Sequence, residues 1–385
     1  MFQFQTLPPL SLYIHFPWCV RKCPYCDFNS HQLFQNLPEQ AYIDALIQDL
    51  EQDLPRIRGR KIISIFMGGG TPSLFSPEFI HRLLSSVYSY LPWSLPIEIT
   101  LEVNPGAIDQ RKLAELRSAG INRLSLGIQS FSDHSLKVLG RIHNAKQACQ
   151  TIEAAYRAGF DNINLDLIFG LPDQTQVQAL YDIKTAIDFN PTHISHYQLT
   201  IEPNTYFHRY PPSLPVDESI YHWQELCQSS LENAGYEHYE VSAFAKRDYQ
   251  CLHNVNYWQF GDYLGIGAGA HSKITNGAEN NITRLWKVKH PTAYLTQIGT
   301  QKHVGGETTL TPQDTIFEFM LNTLRLTNGF SSTLFEAHTG LPLSAIEMPL
   351  RQAKELGWII WEPNYIQPTQ RGSALLNELL ELFLP

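Results

Sequence analysis

The length and composition of the chain are those of an ordinary globular protein. With 385 residues, and roughly 150 residues per domain, it has room for one large domain with a smaller one, or for two to three domains. Hydrophobic residues make up 43% and charged residues 17%, which excludes general disorder. The 28 basic and 37 acidic residues give a net charge of −9, so no bulk positive field attracts phosphate backbones, and we predict no nucleic-acid partner.

The chain shows no pattern of a secreted or membrane-spanning protein. Its first twenty residues contain neither Lys nor Arg and no long apolar run, and no stretch approaches about 18 continuous apolar residues. We therefore predict a cytoplasmic protein with at most peripheral membrane association. In such a protein the six cysteines are expected to be thiols with a function rather than three disulfides.

Apolar runs alternate with segments of helical period up to about Pro203, which is typical of repeated βα units. The runs are nearly continuous in apolar residues, so we expect their strands to be buried on both faces of a parallel sheet. Six units predict an α/β protein with an open, partial (β/α)6 barrel, and a doubly wound sheet is the alternative. The predicted strands are 11–17, 61–67, 97–103, 123–129, 162–169 and 193–201.

Changes of pattern along the chain predict three domains. Residues 1–205 form the barrel, in which Ser76 is the expected N-cap and Pro77 the first residue of the second helix. Residues 206–305 extend the barrel through a helix near 219–234 and aromatic-rich and glycine-rich loops. Residues 306–385 form a smaller C-terminal α+β unit that resembles a winged helix and contains a hairpin over 358–367.

Three cysteines lie close together directly after the first predicted strand. Cys19, Cys23 and Cys26 allow one loop to wrap three thiolates around a single inorganic centre. A four-iron cluster usually takes four thiolates, so three leave one iron open for an outside ligand. A zinc site completed by His15 or His31 is the alternative.

The cysteine spacing, with Tyr25 before the last cysteine, resembles the motif of the radical S-adenosylmethionine (SAM) superfamily over the predicted barrel. The resemblance implies a [4Fe-4S] cluster on Cys19, Cys23 and Cys26. It also implies that SAM binds the open iron and is cleaved to a 5′-deoxyadenosyl radical when the reduced cluster delivers an electron. The sequence GGGTP at 68–72 matches the glycine motif of the superfamily, in which the backbone approaches SAM.

The same resemblance assigns SAM contacts to residues near the carboxyl ends of the predicted strands. A carboxylate suits ribose hydroxyls or the methionyl ammonium, and an arginine suits a carboxylate. Each of these side chains taken alone also fits a structural salt bridge or a cap. The assigned residues are Tyr13, Tyr25, Gly69, Gly70, Thr71, Glu102, Gln129, Arg141 and Asp166.

Within the superfamily the chain is similar, nearly end to end, to the branch around coproporphyrinogen dehydrogenase and there to the HemW-type heme chaperones. Two departures from the dehydrogenase favour the chaperones. The dehydrogenase has a fourth cysteine where this chain has Phe28, and it has an N-terminal extension, whereas this chain reaches its first predicted strand at Ser11. Oxidative decarboxylation of coproporphyrinogen III remains the alternative function. The stretches that carry the resemblance include YIHFPWCVRKCPYCDFNSH, FMGGGTPSL, LDLIFGLPDQT, YQLTIEPNT and HNVNYWQFGDYLGIGAGAHS.

The chaperone resemblance implies heme binding and transfer of heme to acceptor proteins of the respiratory chain. The heme motif of the family matches His253, Asn254, Tyr257 and Trp258. These residue types suit heme, because imidazole can ligate heme iron and aromatic rings can cover a porphyrin. A packed loop is the alternative interpretation, and Cys251 and His271 are rival ligands. The resemblance also implies an electron donor and is compatible with a homodimer. Cys149 and Cys227 fall in helical patterns and are expected to be core thiols.

Overall fold

The structure is a computed structural model that describes residues 2–106 and 108–384. Met1, Ala107 and Pro385, which fall within the predicted domains 1–205 and 306–385, lie outside the described residues. The strands of the described residues belong to sheets of twelve, three and two strands. In chain order they are β1 (Leu10–Phe16), β2 (Trp18–Cys19), β3 (His31–Gln32), β4 (Ile62–Gly69), β5 (Trp93–Val103), β6 (Arg123–Gln129), β7 (Asn162–Phe169), β8 (His193–Gln198), β9 (Glu237–Glu240), β10 (Ala243–Ala245), β11 (Asp262–Ile266), β12 (His271–Asn276), β13 (Asn281–Lys287), β14 (Val304–Thr309), β15 (Phe330–Ser331), β16 (Ile359–Glu362) and β17 (Tyr365–Pro368).

The helices either connect the strands of the large sheet or form the C-terminal unit. Short 3₁₀ turns cover Pro72–Leu74, Gln301–His303 and Leu343–Ile346. The α-helices are α1 (Glu39–Ile57), α2 (Pro77–Tyr90), α3 (Gln110–Ser118), α4 (Asp133–Val138), α5 (Ala145–Arg157), α6 (Gln176–Asp188), α7 (Tyr206–Arg209), α8 (Asp217–Asn233), α9 (Leu252–Trp258), α10 (Pro291–Gln297), α11 (Pro312–Thr323), α12 (Ser332–Thr339), α13 (Glu347–Glu355), α14 (Gln370–Ala374) and α15 (Leu376–Glu381).

Six parallel strands form the predicted open barrel. They lie in the order β1-β4-β5-β6-β7-β8, which is also their order along the chain. A doubly wound sheet would reverse direction at a switch point, so this order excludes that alternative. The barrel is open because the outer edges of β1 and β8 pair with further strands instead of with each other.

The sheet continues well past the predicted barrel. Strand β11 lies parallel beside β1 and is followed by antiparallel β12, β13 and β14, while β10 and β9 extend the edge beyond β8. The expectation of loops from the helix near 219–234 to about His271 was wrong, because this segment contains β9, β10, β11 and helix α9. These strands have only three to five residues, which is too short to give a clear alternation in the sequence.

The prediction that the barrel strands are buried on both faces is confirmed, but only their outward faces are apolar. Outward side chains such as Leu12, Leu101 and Leu124 are apolar and belong to the main hydrophobic core, as do apolar residues of the surrounding helices. Inward side chains are mostly polar, so each strand alternates with a period of two. The inward residues include Ser11, Tyr13 and His15 on β1, Ser64 on β4, Glu98, Thr100 and Glu102 on β5, Arg123 and Ser125 on β6, Asn164 and Asp166 on β7, and His193, Ser195 and Tyr197 on β8.

Helix α2 begins where the sequence predicts but is capped differently. Ser76 occupies the N-cap position and Pro77 the first helical position, but the Ser76 hydroxyl makes no capping hydrogen bond. The backbone N–H of Ser76 instead donates to the Glu39 carboxylate of α1 at 2.6 Å. This contact joins the first turns of α1 and α2 on the outside of the barrel.

A buried ion pair fixes the extension of the sheet to helix α1. The Lys287 ammonium at the end of β13 donates to Asp49 and Asp53 at 2.6 Å each, and all three side chains are nearly inaccessible. Asp49 also accepts from Tyr294 and from the backbone N–H of Gly267. Leaving a buried charge without its partner costs about 3–5 kcal/mol, so these contacts define how β13 and the end of β11 pack on the barrel.

The C-terminal unit has its own hydrophobic core. Helices α11 to α15 pack with the small sheet β15-β17-β16 around a cluster that includes Phe319, Phe335 and Leu350. The predicted hairpin over 358–367 is confirmed as β16 and β17. None of the described helices is both long and apolar enough to cross a membrane.

Candidate functional site

The three clustered cysteines lie on a loop at the carboxyl end of β1. Strands β2 and β3 pair at the base of this loop, and Cys26 N–H donates to the Cys23 carbonyl at 3.2 Å within it. The loop is fixed to the end of β4 because Gly70 N–H donates to the Phe16 carbonyl and Thr71 N–H to the Trp18 carbonyl, at 2.7 and 2.8 Å. The carboxyl edge of a parallel barrel is where functional groups usually collect.

Each thiol has one polar side chain beside it. The Thr71 hydroxyl donates to Cys19 at 3.5 Å, an Arg141 guanidinium N–H donates to Cys23 at 3.6 Å, and the Ser30 hydroxyl lies 3.6 Å from the Cys26 sulfur. Burial raises the pKa of Cys19 and of Cys26, and the neighbouring thiols add to this effect. Cys19 and Cys26 are therefore protonated at neutral pH in the absence of a metal, and metal binding would release their protons.

The donor set fits an iron–sulfur cluster better than a single zinc ion. His15 bonds to Tyr13 and to the Asn29 carbonyl, and His31 bonds to the Asn29 side chain, so both candidate fourth ligands have other partners. Three half-buried thiols on one loop match the ligand set of a four-iron cluster with one open iron.

Arg141 connects the cysteine loop to the ends of β5 and β6. It donates to the Asn104 amide oxygen at 2.6 Å and to the Gly127 carbonyl at 2.8 Å, and Asn104 in turn donates to the Thr71 hydroxyl at 2.7 Å. The Arg141 Nε is buried and has no partner in the described part of the chain. Gln129 lies beside this group in a left-handed backbone conformation, with φ of 68°.

The glycine motif is required by the protein's own packing. A Cβ at Gly70 would lie 2.5 Å from the Trp18 carbonyl oxygen, and a Cβ at Gly69, where φ is +110°, would collide with the His15 ring. A Cβ at Gly68 would lie 3.0 Å from the Glu102 carboxylate. The glycines therefore allow β4, the cysteine loop and β5 to come together, and the predicted backbone contact with SAM remains a prediction.

Glu102, Asp166 and Tyr13 form a layer below the cysteine loop. Glu102 accepts from Gly69 N–H at 3.1 Å, and Asp166 accepts from Ser125 and Asn164 at 2.8 Å. Burial, followed by the charge of Asp166, raises the pKa of Glu102 from 4.5 to about 8. Burial also raises the pKa of Asp166 and of Tyr13. A cationic ligand above this layer would stabilise the ionised carboxylates.

Tyr25 packs against a small hydrophobic cluster next to the cysteine loop. Its ring centroid is 6.5 Å from that of Phe207, and burial raises the pKa of its hydroxyl despite the nearby Arg141 charge. The structure thus brings Tyr25, Thr71 and Arg141 to the cysteine loop, while Tyr13, Glu102 and Asp166 lie deeper in the barrel.

His253 lies on the floor of the barrel, at the amino ends of the strands. It is carried by helix α9, and its Nδ1 is 3.1 Å from the Ser64 hydroxyl, while Nε2 makes no hydrogen bond within the described residues. Its ring lies 5.1 Å from Phe66 and 6.3 Å from Tyr13, centroid to centroid. Burial lowers the pKa of His253 to about 3, with a smaller effect of the Arg123 charge. The imidazole is therefore neutral and able to ligate a metal.

The other residues of the predicted heme motif point elsewhere. Trp258 lies under the Arg325 guanidinium at 4.3 Å, next to the C-terminal unit, and Tyr257 packs against Tyr263 at 4.9 Å. Asn254 is half-buried on the same helix. Within the described residues no ring contact joins His253 to Tyr257 or Trp258, so the structure does not gather the four side chains at one point.

The rival ligands and the remaining cysteines have clear environments. Cys251 is fully buried at 3.5 Å from Glu98, and burial raises its pKa to about 12. His271 begins β12 and lies over Trp286 with ring centroids 6.3 Å apart. Cys149 on α5 and Cys227 on α8 are packed in helices of the main core, as predicted.

Two polar residues at the site were missed by the sequence reasoning. Asn104 joins Arg141 to Thr71, and Arg123 is a fully buried arginine at the start of β6 whose closest carboxylate, Glu98, is 3.9 Å away. Asn104 follows Glu102 by two residues at the carboxyl end of a predicted strand. Functional side chains usually collect there, so the sequence could have identified Asn104 as a site residue. Arg123 gives no comparable signal, because its position inside the barrel follows only from the strand register.

Two family models and one solved structure show the class of protein to which the chain belongs. Residues 13–184 match the family model described as the radical SAM superfamily, and residues 310–375 match the HemN C-terminal domain. A solved structure described as coproporphyrinogen III oxidase (HemN) from Escherichia coli, a radical SAM enzyme, is similar with a TM-score of 0.82 and 25% sequence identity, over 98% of this chain and 90% of that chain.

Curated relatives identify the family within that class. A protein named heme chaperone HemW from Haemophilus influenzae is 49% identical over 382 residues, covering 98% of each chain. Proteins of the same name are 45% identical in Escherichia coli, over 98% of this chain and 99% of the relative, and 35% identical in Bacillus subtilis, over 97% and 99%. The chain belongs to the HemW heme chaperone family of the radical SAM superfamily.

The raised pKa of Glu102 gives a prediction for the cofactor-free protein. As pH rises from about 4.5 to about 8, an unfolded chain releases the Glu102 proton while the folded chain keeps it, so the folded state loses stability over this range. Glu102→Gln should therefore raise the melting temperature, and by more at pH 8 than at pH 5. Thermal unfolding of wild type, Glu102→Gln and the exposed control Glu232→Gln measures this. An equal effect of Glu102→Gln at both pH values would contradict the assignment.

Proposed function

We propose that this protein is a radical SAM heme chaperone that binds heme and transfers it to acceptor hemoproteins, using a [4Fe-4S] cluster and SAM. The observation that carries the proposal is its near full-length similarity to proteins named heme chaperone HemW. The cysteine loop supports the same conclusion. Phe28, where the dehydrogenases have a fourth cysteine, has 59% of its surface exposed, and a phenyl ring cannot ligate iron.

In this proposal Cys19, Cys23 and Cys26 hold the cluster. Thr71, Arg141 and Ser30 donate hydrogen bonds to the sulfur atoms and so stabilise the thiolates. When bound, the cluster and SAM together supply reductive cleavage of a sulfonium. The membership of the chain in the radical SAM superfamily implies both cofactors.

SAM would lie between the cysteine loop and the barrel floor. Tyr13, Glu102 and Asp166 would face its polar groups from the barrel interior. Gln129 would approach from the end of β6, and Arg141 from the turn between α4 and α5. The backbone of Gly69, Gly70 and Thr71 and the Tyr25 side chain would border it at the loop. Arg141 is suited to a carboxylate because it offers several N–H donors in one plane.

His253 is the proposed axial ligand of heme. Its Nδ1 lies against a hydroxyl, its Nε2 is free of hydrogen bonds in the described chain, and its lowered pKa keeps it neutral. Ligation from the barrel floor would require α9 to move or the barrel to open, because the His253 side chain is nearly inaccessible. Asn254, Tyr257 and Trp258 would then border the porphyrin on the same helix.

The proposed partners follow from this function. Heme is the cargo, proteins of the respiratory chain are the acceptors, and a reduced carrier is the electron donor. We further propose a cytoplasmic location with at most peripheral membrane contact, no nucleic-acid partner, and a homodimer as one form of the protein. The predicted division into domains 1–205, 206–305 and 306–385 is part of the same proposal.

Removal of one thiol tests the cluster. Cys23→Ala should reduce bound iron and acid-labile sulfide to background after anaerobic reconstitution, because two thiolates cannot hold the cluster. The fold should persist, because the side chain lies on a half-exposed loop outside the main core. Cys149→Ala, which removes a thiol from helix α5, should keep full iron content. Wild-type iron content in Cys23→Ala would refute the cluster assignment.

Heme binding is tested by the absorption spectrum. Wild-type protein should take up about one heme per chain with a defined Soret band. His253→Gln should shift that band and weaken uptake roughly tenfold or more, as expected when a metal-site residue is lost. The matched control His338→Gln changes another buried histidine, in the C-terminal unit, and should leave the spectrum unchanged. An unaltered spectrum in His253→Gln would exclude it as the ligand.

An anaerobic assay separates the chaperone from the decarboxylase. Protein with a full cluster, SAM, reductant and coproporphyrinogen III should give no protoporphyrinogen above the level of a Cys23→Ala control. In parallel, heme-loaded protein should transfer heme to an apo-hemoprotein, followed by the Soret spectrum of the acceptor. Catalytic formation of protoporphyrinogen would overturn the chaperone proposal.

A further inference from the structure

A buried arginine on the barrel floor has a hydrogen-bond donor that the protein does not use. Arg123 begins β6 with 2% of its surface exposed, and its Nε has no hydrogen-bond partner in the described residues. Its nearest carboxylate, Glu98, is 3.9 Å away, which is an ion-pair distance but too long for a hydrogen bond. A guanidinium has five N–H donors, and an unsatisfied donor inside a protein is costly. This side chain is therefore suited to an acceptor from outside the chain.

Glu98 bonds to helix α9 rather than to Arg123. Its carboxylate accepts from the backbone N–H of Leu252 at 3.1 Å and of His253 at 3.2 Å, and the Cys251 thiol donates to it at 3.5 Å. These contacts hold the first turn of the helix that carries His253. Glu98 thus offsets part of the Arg123 charge and still leaves the Arg123 Nε without an acceptor.

A second unused donor lies beside Arg123. Thr100 on β5 is the direct partner of Arg123 in the strand register, and it is fully buried. Its hydroxyl has no hydrogen-bond partner in the part of the chain that the structure describes. The next residue in the same row is Phe66 on β4, whose ring lies 5.1 Å from that of His253, centroid to centroid. The row thus places two donors next to an aromatic ring and an imidazole.

We propose that Arg123 and Thr100 form the subsite for a propionate carboxylate of the heme that the protein carries. The inference rests on the proposed function and adds a polar contact to the heme ligand proposed there. A planar guanidinium binds a carboxylate through two parallel N–H···O bonds, and a threonine hydroxyl can donate another. Heme has its iron at the centre of the ring and its propionates at the edge. An iron ligand and a carboxylate partner that lie near each other can therefore bind one molecule.

The position of Arg123 favours heme over SAM as the source of the carboxylate. The one carboxylate of SAM is assigned to Arg141, which bonds to the Gly127 carbonyl near the carboxyl end of β6, whereas Arg123 begins that strand about 13 Å away. Glu98 lies within 3.9 Å of both Arg123 and the backbone N–H of His253, so the subsite is next to the proposed iron ligand. The movement of α9 that heme ligation requires would also separate Glu98 from the helix and open the floor beside Arg123.

The test compares heme with its dimethyl ester, in which both propionates are esterified and carry no charge. Full-length protein with its reconstituted cluster is titrated with each compound under anaerobic conditions, and the Soret band gives the two dissociation constants. Wild type should bind heme roughly tenfold or more tightly than the ester, because hydrogen bonds to a charged group have about this effect. Arg123→Met should bind the two with nearly equal affinity, through weaker binding of heme and unchanged binding of the ester.

A milder variant serves if Arg123→Met does not fold, since that change leaves Glu98 without its counter-charge. Thr100→Val nearly keeps the shape of the side chain and should reduce the preference for heme about two- to tenfold. The matched control is Thr315→Val in helix α11, because Thr315 is also fully buried and its hydroxyl has no hydrogen-bond partner in the described chain. Its preference should equal that of wild type. An unchanged preference in Thr100→Val, or an equal loss in Thr315→Val, would overturn the proposal.

Further results separate this subsite from the proposed function and from SAM. If wild type binds neither heme nor its ester, the proposed function fails and the subsite falls with it. If wild type binds both equally well, the function stands and the subsite alone is refuted. Calorimetry with SAM and decarboxylated SAM gives the remaining comparison. If Arg123→Met loses the preference for SAM over decarboxylated SAM and keeps the preference for heme over its ester, the subsite serves SAM, and the heme assignment is wrong.

Discussion

The alternation of side chains along the parallel barrel strands determines the rest of the structure. Outward residues are apolar and bury against the helices, while inward residues such as Asp166, Asn164 and His193 are polar. Polar groups inside a protein are costly unless they find partners. Asn164 bonds to Ser125, Asp166, Ser195 and His193, and His193 bonds to Tyr239, so a large part of the interior is satisfied by its own network.

The same network leaves several groups available to a ligand. The Arg141 Nε, the Thr100 hydroxyl and the Arg123 Nε are buried and have no hydrogen-bond partner in the described residues. Arg141 lies at the cysteine loop, whereas Thr100 on β5 and Arg123 at the start of β6 lie deeper in the barrel. The glycine run at the end of β4 lets the cysteine loop approach β5 closely. As a result, Thr71 contacts both Cys19 and Asn104.

The sequence predicted the parts of the molecule that depend on local pattern. The six barrel strands, the start of α2 and the last hairpin have strong periodicity or clear end signals, and the three cysteines lie within one loop. The sequence could not predict contacts that depend on strand register and on distant segments. Neither the short strands β9 to β11 nor the position of His253 beneath Phe66 follows from residues near them in the chain. The inward polar residues were visible as every second residue, but the apolar residues between them dominated the interpretation.

The central claim is that Cys19, Cys23 and Cys26 present a four-iron cluster with one open iron to SAM inside the barrel. Electron paramagnetic resonance of the anaerobically reduced protein tests it most directly. The reduced protein should give the signal of a reduced four-iron cluster, and its g values should change when SAM is added, because SAM then becomes a ligand of the open iron. A reduced-cluster spectrum that is unchanged by saturating SAM, or the absence of any cluster signal in fully reconstituted protein, would contradict it.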